Sequence, residues 1–245
     1  MAASFLIQAV SALLADIPDE GKTLLDISCK EGDVLASLQH RRFTLRGTNF
    51  EASGPDKNGI PIDYDVDLRQ RLPYDDASFD VVLLIEVIEH LSDHQAALGE
   101  LARILKPGGS LILTTPNVMR LNSRMHFMLS GYHKTKRRFI PFETPLNHAH
   151  RFHNYPIELP ILYYLCKQNG LNLERLGHSK VKFYSRFLLA TLGLPVIAYT
   201  WYTLWIREKN PNQRQENRKL LRWLCHPRLL MEDNLVLRLR KGETA

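Results

Sequence analysis

Residues 24–38 read LLDISCKEGDVLASL. The run LLDI is apolar and of strand length, with an acid, Asp26, near its end. A short polar turn follows, and DVLASL then has helical spacing. Strand, tight turn and helix form the opening unit of a parallel α/β sheet. The alternation continues downstream through FTLRGTNF, IPIDYDV, FDVVLLI with the helical SDHQAALGELARIL at 92–105, and SLILTTP. Strands buried on both faces read as continuous apolar runs rather than as alternation, and these do. The helix at 92–105 is expected to start on a Ser92 cap and to stop at KPGG. After residue 117 come a polar and basic stretch to about 155, a helix at 156–169 closed by Gly170, a strand LNLERL, an apolar aromatic insertion and a last strand NLVLRLR. In open sheets of this kind a ligand binds outside the carboxyl ends of the strands. That rule puts residues 26–32, 49–51, 67–68, 86–90 and 116–117 on one rim.

At 245 residues and 44% hydrophobic, the chain can bury one large α/β core. Three cysteines without a CxxC give no disulfide or zinc framework and fit a reducing compartment, hence the cytoplasm. The segment MAASFLIQAVSALLADIPDE lacks a basic residue before its apolar run, so an amphipathic helix is expected there rather than a signal peptide. The net charge of +6 conceals a division. Residues 1–117 hold 10 Lys or Arg and 18 Asp or Glu, net −8, whereas residues 118–245 hold 22 and 8, net +14. The second part is expected to face an anionic ligand or surface.

LLDISCKEG, LPYDDASFDVVLLIEVIEHL and LARILKPGGSLILTTPN, in this order and spacing, resemble the class I S-adenosylmethionine-dependent methyltransferases. The nearest group in look contains the ubiquinone-biosynthesis O-methyltransferases and the methyltransferases of surface-polysaccharide loci. The resemblance implies a Rossmann-like fold, a seven-stranded, mostly parallel sheet with helices on both faces, with S-adenosyl-L-methionine as cofactor. It divides the chain into a methyltransferase domain at 1–185 and 232–245 and an apolar, basic insertion at 186–231.

The family's glycine-rich turn, DxGxGxG, matches Asp26, Ser28, Lys30 and Gly32, so two of its three glycines are replaced. Glycine there lets the backbone approach the cofactor, and Lys30 at a positive φ would add about 1 kcal/mol of strain. The family's ribose-binding acid corresponds to Asn49, which accepts hydrogen bonds without a charge, with Glu51 as a substitute two residues on. Asp67 and Leu68 match the position beside the adenine, and Glu86 ends the fourth cofactor segment.

In EVIEH a helical turn would bring Glu86, Glu89 and His90 onto one face. Small-RNA ribose methyltransferases bind a divalent metal through such a stretch and a later histidine, matched here by His150. The expected set is no metal, with Glu86, Glu89, His90 and His150 as the alternative ligands. His90 or His150 is the expected base toward the acceptor. Five histidines (His126, His133, His148, His150 and His153) crowd between residues 126 and 153, beside the basic run YHKTKRRF with Lys134, Lys136, Arg137 and Arg138. His150 and His153 are expected close to the rim if the helix at 156 packs as in the family, where one could take the acceptor's proton.

The stretch 187–206, FLLATLGLPVIAYTWYTLWI, has no charge and is long enough to span a bilayer. A single crossing would strand NLVLRLR on the far side, so an in-plane helix broken near Gly193 and Pro195 is expected, with Trp201, Tyr202 and Trp205 as interface anchors. A protein interface, including a homo-oligomer, is the competing use of the same segment. The sequence therefore leads to O-methylation of an anionic small-molecule, glycan or lipid-linked acceptor in surface-glycan or lipopolysaccharide assembly, in the cytoplasm or peripherally on the inner face of the membrane. The alternatives are a metal-assisted RNA ribose 2'-O-methyltransferase, with nucleic acid the lesser partner, and a degenerate methyltransferase-fold regulator or scaffold.

Lys30→Gly is expected to tighten S-adenosylmethionine binding in a calorimetric titration, because it removes a Cβ and a cation from beside a positive sulfonium. Absence of binding by both forms at millimolar cofactor would establish the scaffold reading.

Overall fold

Apolar strands with two buried faces need cover on both sides, and the chain supplies it with helices before, between and after the strands. The structure, a computed structural model, describes residues 4–29, 32–54, 59–135, 139–145, 148 and 151–243. Seven strands, β1 (Thr23–Ile27), β2 (Thr44–Thr48), β3 (Ile62–Asp63), β4 (Phe79–Ile85), β5 (Leu105–Pro116), β6 (Leu171–Leu176) and β7 (Asn234–Lys241), form one sheet in the order β3-β2-β1-β4-β5-β7-β6. β3, β2, β1, β4 and β5 pair in parallel, and β7 lies antiparallel between β5 and β6. This is the expected Rossmann-like, seven-stranded arrangement.

Alternate strand residues feed two cores. Leu25, Val82, Leu84, Leu111 and Leu113 point to one side, under α3 (His94–Ile104) and α5 (Leu159–Gln168). Leu24, Val81, Leu83 and Ile112 point to the other, under α1 (Ser4–Leu14) and α2 (Asp33–Leu38). The amphipathic reading of the first segment holds: α1 buries Leu6, Ala9, Val10, Leu13 and Leu14. Arg238 of β7 clamps this helix to the sheet, donating to the Leu13 carbonyl at 2.9 Å and pairing with Asp16 at 2.6 Å and Glu174 at 2.8 Å.

Several expected boundaries move. The cap of α3 is Asp93, whose carboxylate accepts from the Ala96 N–H at 2.9 Å, and not Ser92. Asp is as good a cap as Ser, and one residue later it meets the third N–H of the helix. KPGG belongs to β5 rather than to a loop, because β4 shifts register between Phe79 and Val81 and keeps Leu105 paired. Between β6 and β7 the chain forms α6 (Phe183–Trp201), a π-helical turn at Tyr202–Ile206, α7 (Pro211–Leu224) and α8 (Pro227–Met231). The expected break in α6 does not occur. The helix continues through Gly193 and Pro195 because Leu192, Val196 and Ile197, on either side of the proline, pack into one cluster with Leu121 and Leu230. Leu121 opens α4 (Leu121–Ser130), the helix that follows β5.

Asp26, near the carboxyl end of β1, lies in register with Gly47 and Leu83 and is 2% exposed. Burial pushes its carboxyl up to about 8. In the unfolded chain the group titrates near 3.9, so between about pH 4 and about pH 8 the folded chain keeps a proton that the unfolded chain releases. Stability from this residue falls as pH rises through that window. Asp26→Asn is expected to raise the melting temperature of the cofactor-free protein by an amount that grows over the window and levels off above it. A difference independent of pH in thermal melts would show that the carboxyl is already ionised in the folded state.

Candidate active site

The turn after β1 is fastened to the end of β2. The Ser28 N–H donates to Thr48 Oγ1 at 3.0 Å and the Cys29 N–H to the Thr48 carbonyl at 2.8 Å. Gly47 permits this approach, since a Cβ there would lie 2.9 Å from Cys29 Sγ and 2.6 Å from Ile62 Cδ1. Ser28 at φ 56° and Gly32 at φ 71° both take left-handed backbone, and Gly32 caps α2. A serine in that conformation costs about 1 kcal/mol, strain of the kind that collects at ligand sites. Lys30, the substitution that most distinguishes this turn, lies outside the described residues.

Beyond β2, Asn49 is buried and its Oδ1 accepts from the Glu51 N–H at 3.3 Å. Its side chain thus shapes the loop it belongs to, while Glu51 is exposed. Asp67 forms a forked pair with Arg69, 2.7 Å at its shortest, which holds the carboxyl below its usual range. The Arg69 guanidinium in turn stacks 5.4 Å above the Phe50 ring. Sequence reasoning named Asp67 and missed both Arg69 and Phe50; the Asp-x-Arg spacing was the available signal. Leu68 sends its side chain into the core, so its backbone is the part that can meet a ligand.

Glu86 ends β4 in a left-handed conformation, φ 54°. Its Oε1 accepts from Thr114 Oγ1 at 2.9 Å and its Oε2 from Asn234 Nδ2 at 3.0 Å. These bonds turn the carboxylate toward β5 and β7, so Glu86 does not join Glu89 and His90 in a ligand set as the helical spacing had suggested. Only Ile88–His90 is helical, as a 3-10 turn, and Glu86 falls outside it.

Glu89 is fully buried, with Oε2 accepting from Thr115 Oγ1 at 3.0 Å. His90 Nδ1 lies 3.0 Å from the Phe152 carbonyl. A carbonyl only accepts, so Nδ1 carries the proton and Nε2 the lone pair. His153 completes the group. Its ring meets His90 edge to face at 4.9 Å, and its Nε2 lies 3.9 Å from Glu89 Oε1. Ligand atoms of Glu89, His90 and His153 all lie within 4.8 Å of one another. One carboxylate and two imidazoles can serve a proton acceptor or, with small rotations, a divalent cation. His153 is one of ten histidines in the sequence; it was expected near the rim with His150, but its approach to His90 depends on a loop some sixty residues on and was not foreseen.

His150 and the basic residues Lys136, Arg137 and Arg138 lie outside the described residues, while Lys134 is exposed beside them. His126 and His133 are occupied around α4, His126 near the Tyr132 carbonyl at 3.0 Å and His133 stacked on Phe127 at 4.7 Å. The His148 N–H donates to the Pro145 carbonyl at 2.9 Å, a local turn.

Along the sheet from β3 to β4 the rim presents Asp67, Asn49, Ser28 with Gly32, and Glu86. These are hydrogen-bond acceptors and open backbone, a donor set that suits the amino, hydroxyl and ammonium groups of S-adenosylmethionine. A methyltransferase domain family matches residues 2–176. The ubiquinone biosynthesis O-methyltransferase of Maricaulis maris is 34% identical over 113 residues, 43% of this chain and 44% of that protein. Its namesake in Paramagnetospirillum magneticum is 37% identical over 107 residues, 41% and 43% of the two chains. The chain thus spans less than half the length of these curated relatives. A SAM-dependent methyltransferase structure from Archaeoglobus fulgidus superposes with a TM-score of 0.55 at 15% identity, covering 96% of this chain and 94% of that one. With the family match extending over most of the chain and the sheet order in agreement, this chain belongs to the methyltransferase domain family and has the class I S-adenosylmethionine-dependent methyltransferase fold.

Proposed function

We propose that the chain methylates an oxygen of an anionic, lipid-linked acceptor of surface-glycan assembly at the cytoplasmic face of a membrane. S-adenosylmethionine supplies an electrophilic methyl on a sulfonium. The residues proposed to hold it are Asp26, Ser28, Lys30 and Gly32 in the first turn, Asn49, Asp67 with the Leu68 backbone, and Glu86. The observation that carries the reading is His90, whose Nδ1 donates to the Phe152 carbonyl and whose Nε2 is thereby the proton acceptor of the rim. Nε2 takes the acceptor's hydroxyl proton as the oxygen aligns on the methyl. The buried Glu89 carboxylate, with His153 beside it, offsets the charge of the resulting imidazolium. Alignment in a water-poor site contributes the remainder.

O-methylation is supported by the ubiquinone biosynthesis O-methyltransferases among the relatives. An anionic acceptor is supported by the basic run at 132–139 and the net +14 of residues 118–245. A second reading, metal-assisted methylation of an RNA ribose, is favoured by one observation, the Glu89, His90 and His153 cluster. His150 completes that reading from the sequence.

With labelled S-adenosylmethionine and a bacterial extract split into lipid-soluble and aqueous fractions, label is expected in a glycan-bearing lipid. Label confined to the aqueous fraction would overturn the lipid link. His90→Ala is expected to lower turnover about 10²- to 10⁴-fold and leave cofactor affinity within about twofold. Turnover is expected to survive EDTA dialysis; loss on dialysis with recovery in manganese would establish the metal reading.

A further inference from the structure

Helix α6 with its π-helical turn, Phe183–Ile206, is long and apolar enough to cross a bilayer, and among its 24 residues only Arg186 is charged. One face is accounted for. Leu188, with Leu189, Leu192, Val196 and Ile197, packs against Leu121 and Met125 of α4 and Leu230 of α8. The opposite face repeats at helical spacing through Phe183, Phe187, Leu194, Ala198 and Tyr202, and all five are exposed, Phe183 by 87% and Leu194 by 79%. A helix apolar on both faces requires a second nonaqueous partner. α4 adds to this surface: one turn past Met125, Met128 and Leu129 are 74% and 79% exposed.

Charge identifies the partner. Residues 183–231 hold eight Lys or Arg against two Glu. Of the two acids, Glu216 is already paired with Lys167 and Lys219. Arg186, Arg207 and Lys209 flank the apolar face and are exposed. Apolar and aromatic side chains ringed by cations match the anionic leaflet of a bilayer, where aromatic rings sit at headgroup depth. The helix does not cross. Its entry is tied to the start of β7, through the Asp233 N–H on the Lys180 carbonyl at 3.0 Å and Lys182 on Asp233 at 3.1 Å. A transmembrane path would pull its inner face from α4 and α8.

We infer that α6 and the last turn of α4 form an in-plane docking surface for an anionic lipid bilayer, and that this surface presents lipid-anchored acceptors to the rim. The second half rests on the function proposed above; the first does not. The link between them is short. Asp233 also pairs with Arg120 at the start of α4, and the next residue, Asn234, donates to Glu86 on the rim. The root of the docking helix and the candidate active site therefore share one joint.

The test is flotation of the full chain with vesicles of phosphatidylcholine alone or with a third phosphatidylglycerol. The wild type is expected to float with the anionic vesicles and to be released only in part by molar salt, since salt screens the charges and not the apolar contact. Phe183→Ser with Phe187→Ser and Leu194→Ser should reduce flotation about tenfold or more in either salt condition. Arg186→Gln with Arg207→Gln and Lys209→Gln should reduce it at low salt only. All six positions are exposed, and unchanged melting and cofactor titration would verify the fold. A wild type that stays with the unbound protein overturns the inference, as does a serine variant that instead dissolves a dimer in light scattering. Flotation together with label confined to aqueous acceptors would retain the docking surface and sink the lipid-linked acceptor.

Discussion

The seam where β7 enters the sheet is the constraint on which the rest depends. β7 runs antiparallel between β5 and β6, so its first residues arrive at the same rim where the parallel strands end. Asn117, buried at the end of β5, donates to the Leu229 and Glu232 carbonyls at 2.8 and 2.9 Å, and its own Oδ1 accepts from the Met119 N–H. Asp233 gathers Arg120 and Lys182, and Asn234 holds Glu86. The two ends of the excursion between β6 and β7 are thus bonded together at the rim. The same bonds fix the left-handed Glu86, whose strain of about 1 kcal/mol requires such over-determined surroundings.

The sheet was legible because fully buried strands leave continuous apolar runs, and TLLDI, FDVVLLI and SLILTTP leave little room for another reading. The positions of Asp26, Asn49, Asp67 and Glu86 on one rim followed from strand ends alone. What was hidden is what distant segments decide. EVIEH has helical spacing, yet the backbone leaves β4 through one left-handed residue and turns only from Ile88, so Glu86 and Glu89 part company. Asp67 was read from its strand end, but the Arg69 guanidinium paired with it was not. Pro195 argued for a break in α6, but contacts with Leu121 and Leu230 outweigh the one backbone hydrogen bond that proline removes.

His90 shows the same division in a single side chain. Its place after β4 was predictable from the family pattern, and its tautomer was not. The Phe152 carbonyl that commits Nδ1 comes from the segment before α5, which also sends the Tyr155 N–H to the Glu89 carbonyl at 3.0 Å. Two hydrogen bonds from one loop thus position the proposed proton acceptor and its carboxylate neighbour together. A change in that loop would reach the chemistry without touching the motif.

Charge separates the two halves of the proposed reaction. S-adenosylmethionine carries a sulfonium and an ammonium against one carboxylate, so it is a net cation, and the half of the chain with the cofactor turn has a net charge of −8. The acceptor, under the proposed reading, is an anion, and the half that faces it has +14. Summed fields of this kind act on encounter more than on fold. Under that reading each half attracts its own ligand. The sulfur left behind after transfer is neutral, and the adenosyl product is therefore held less firmly by an acidic rim than the cofactor was. Under the proposed reading, the charge division favours exchange of product for fresh cofactor while the basic half stays on an anionic surface.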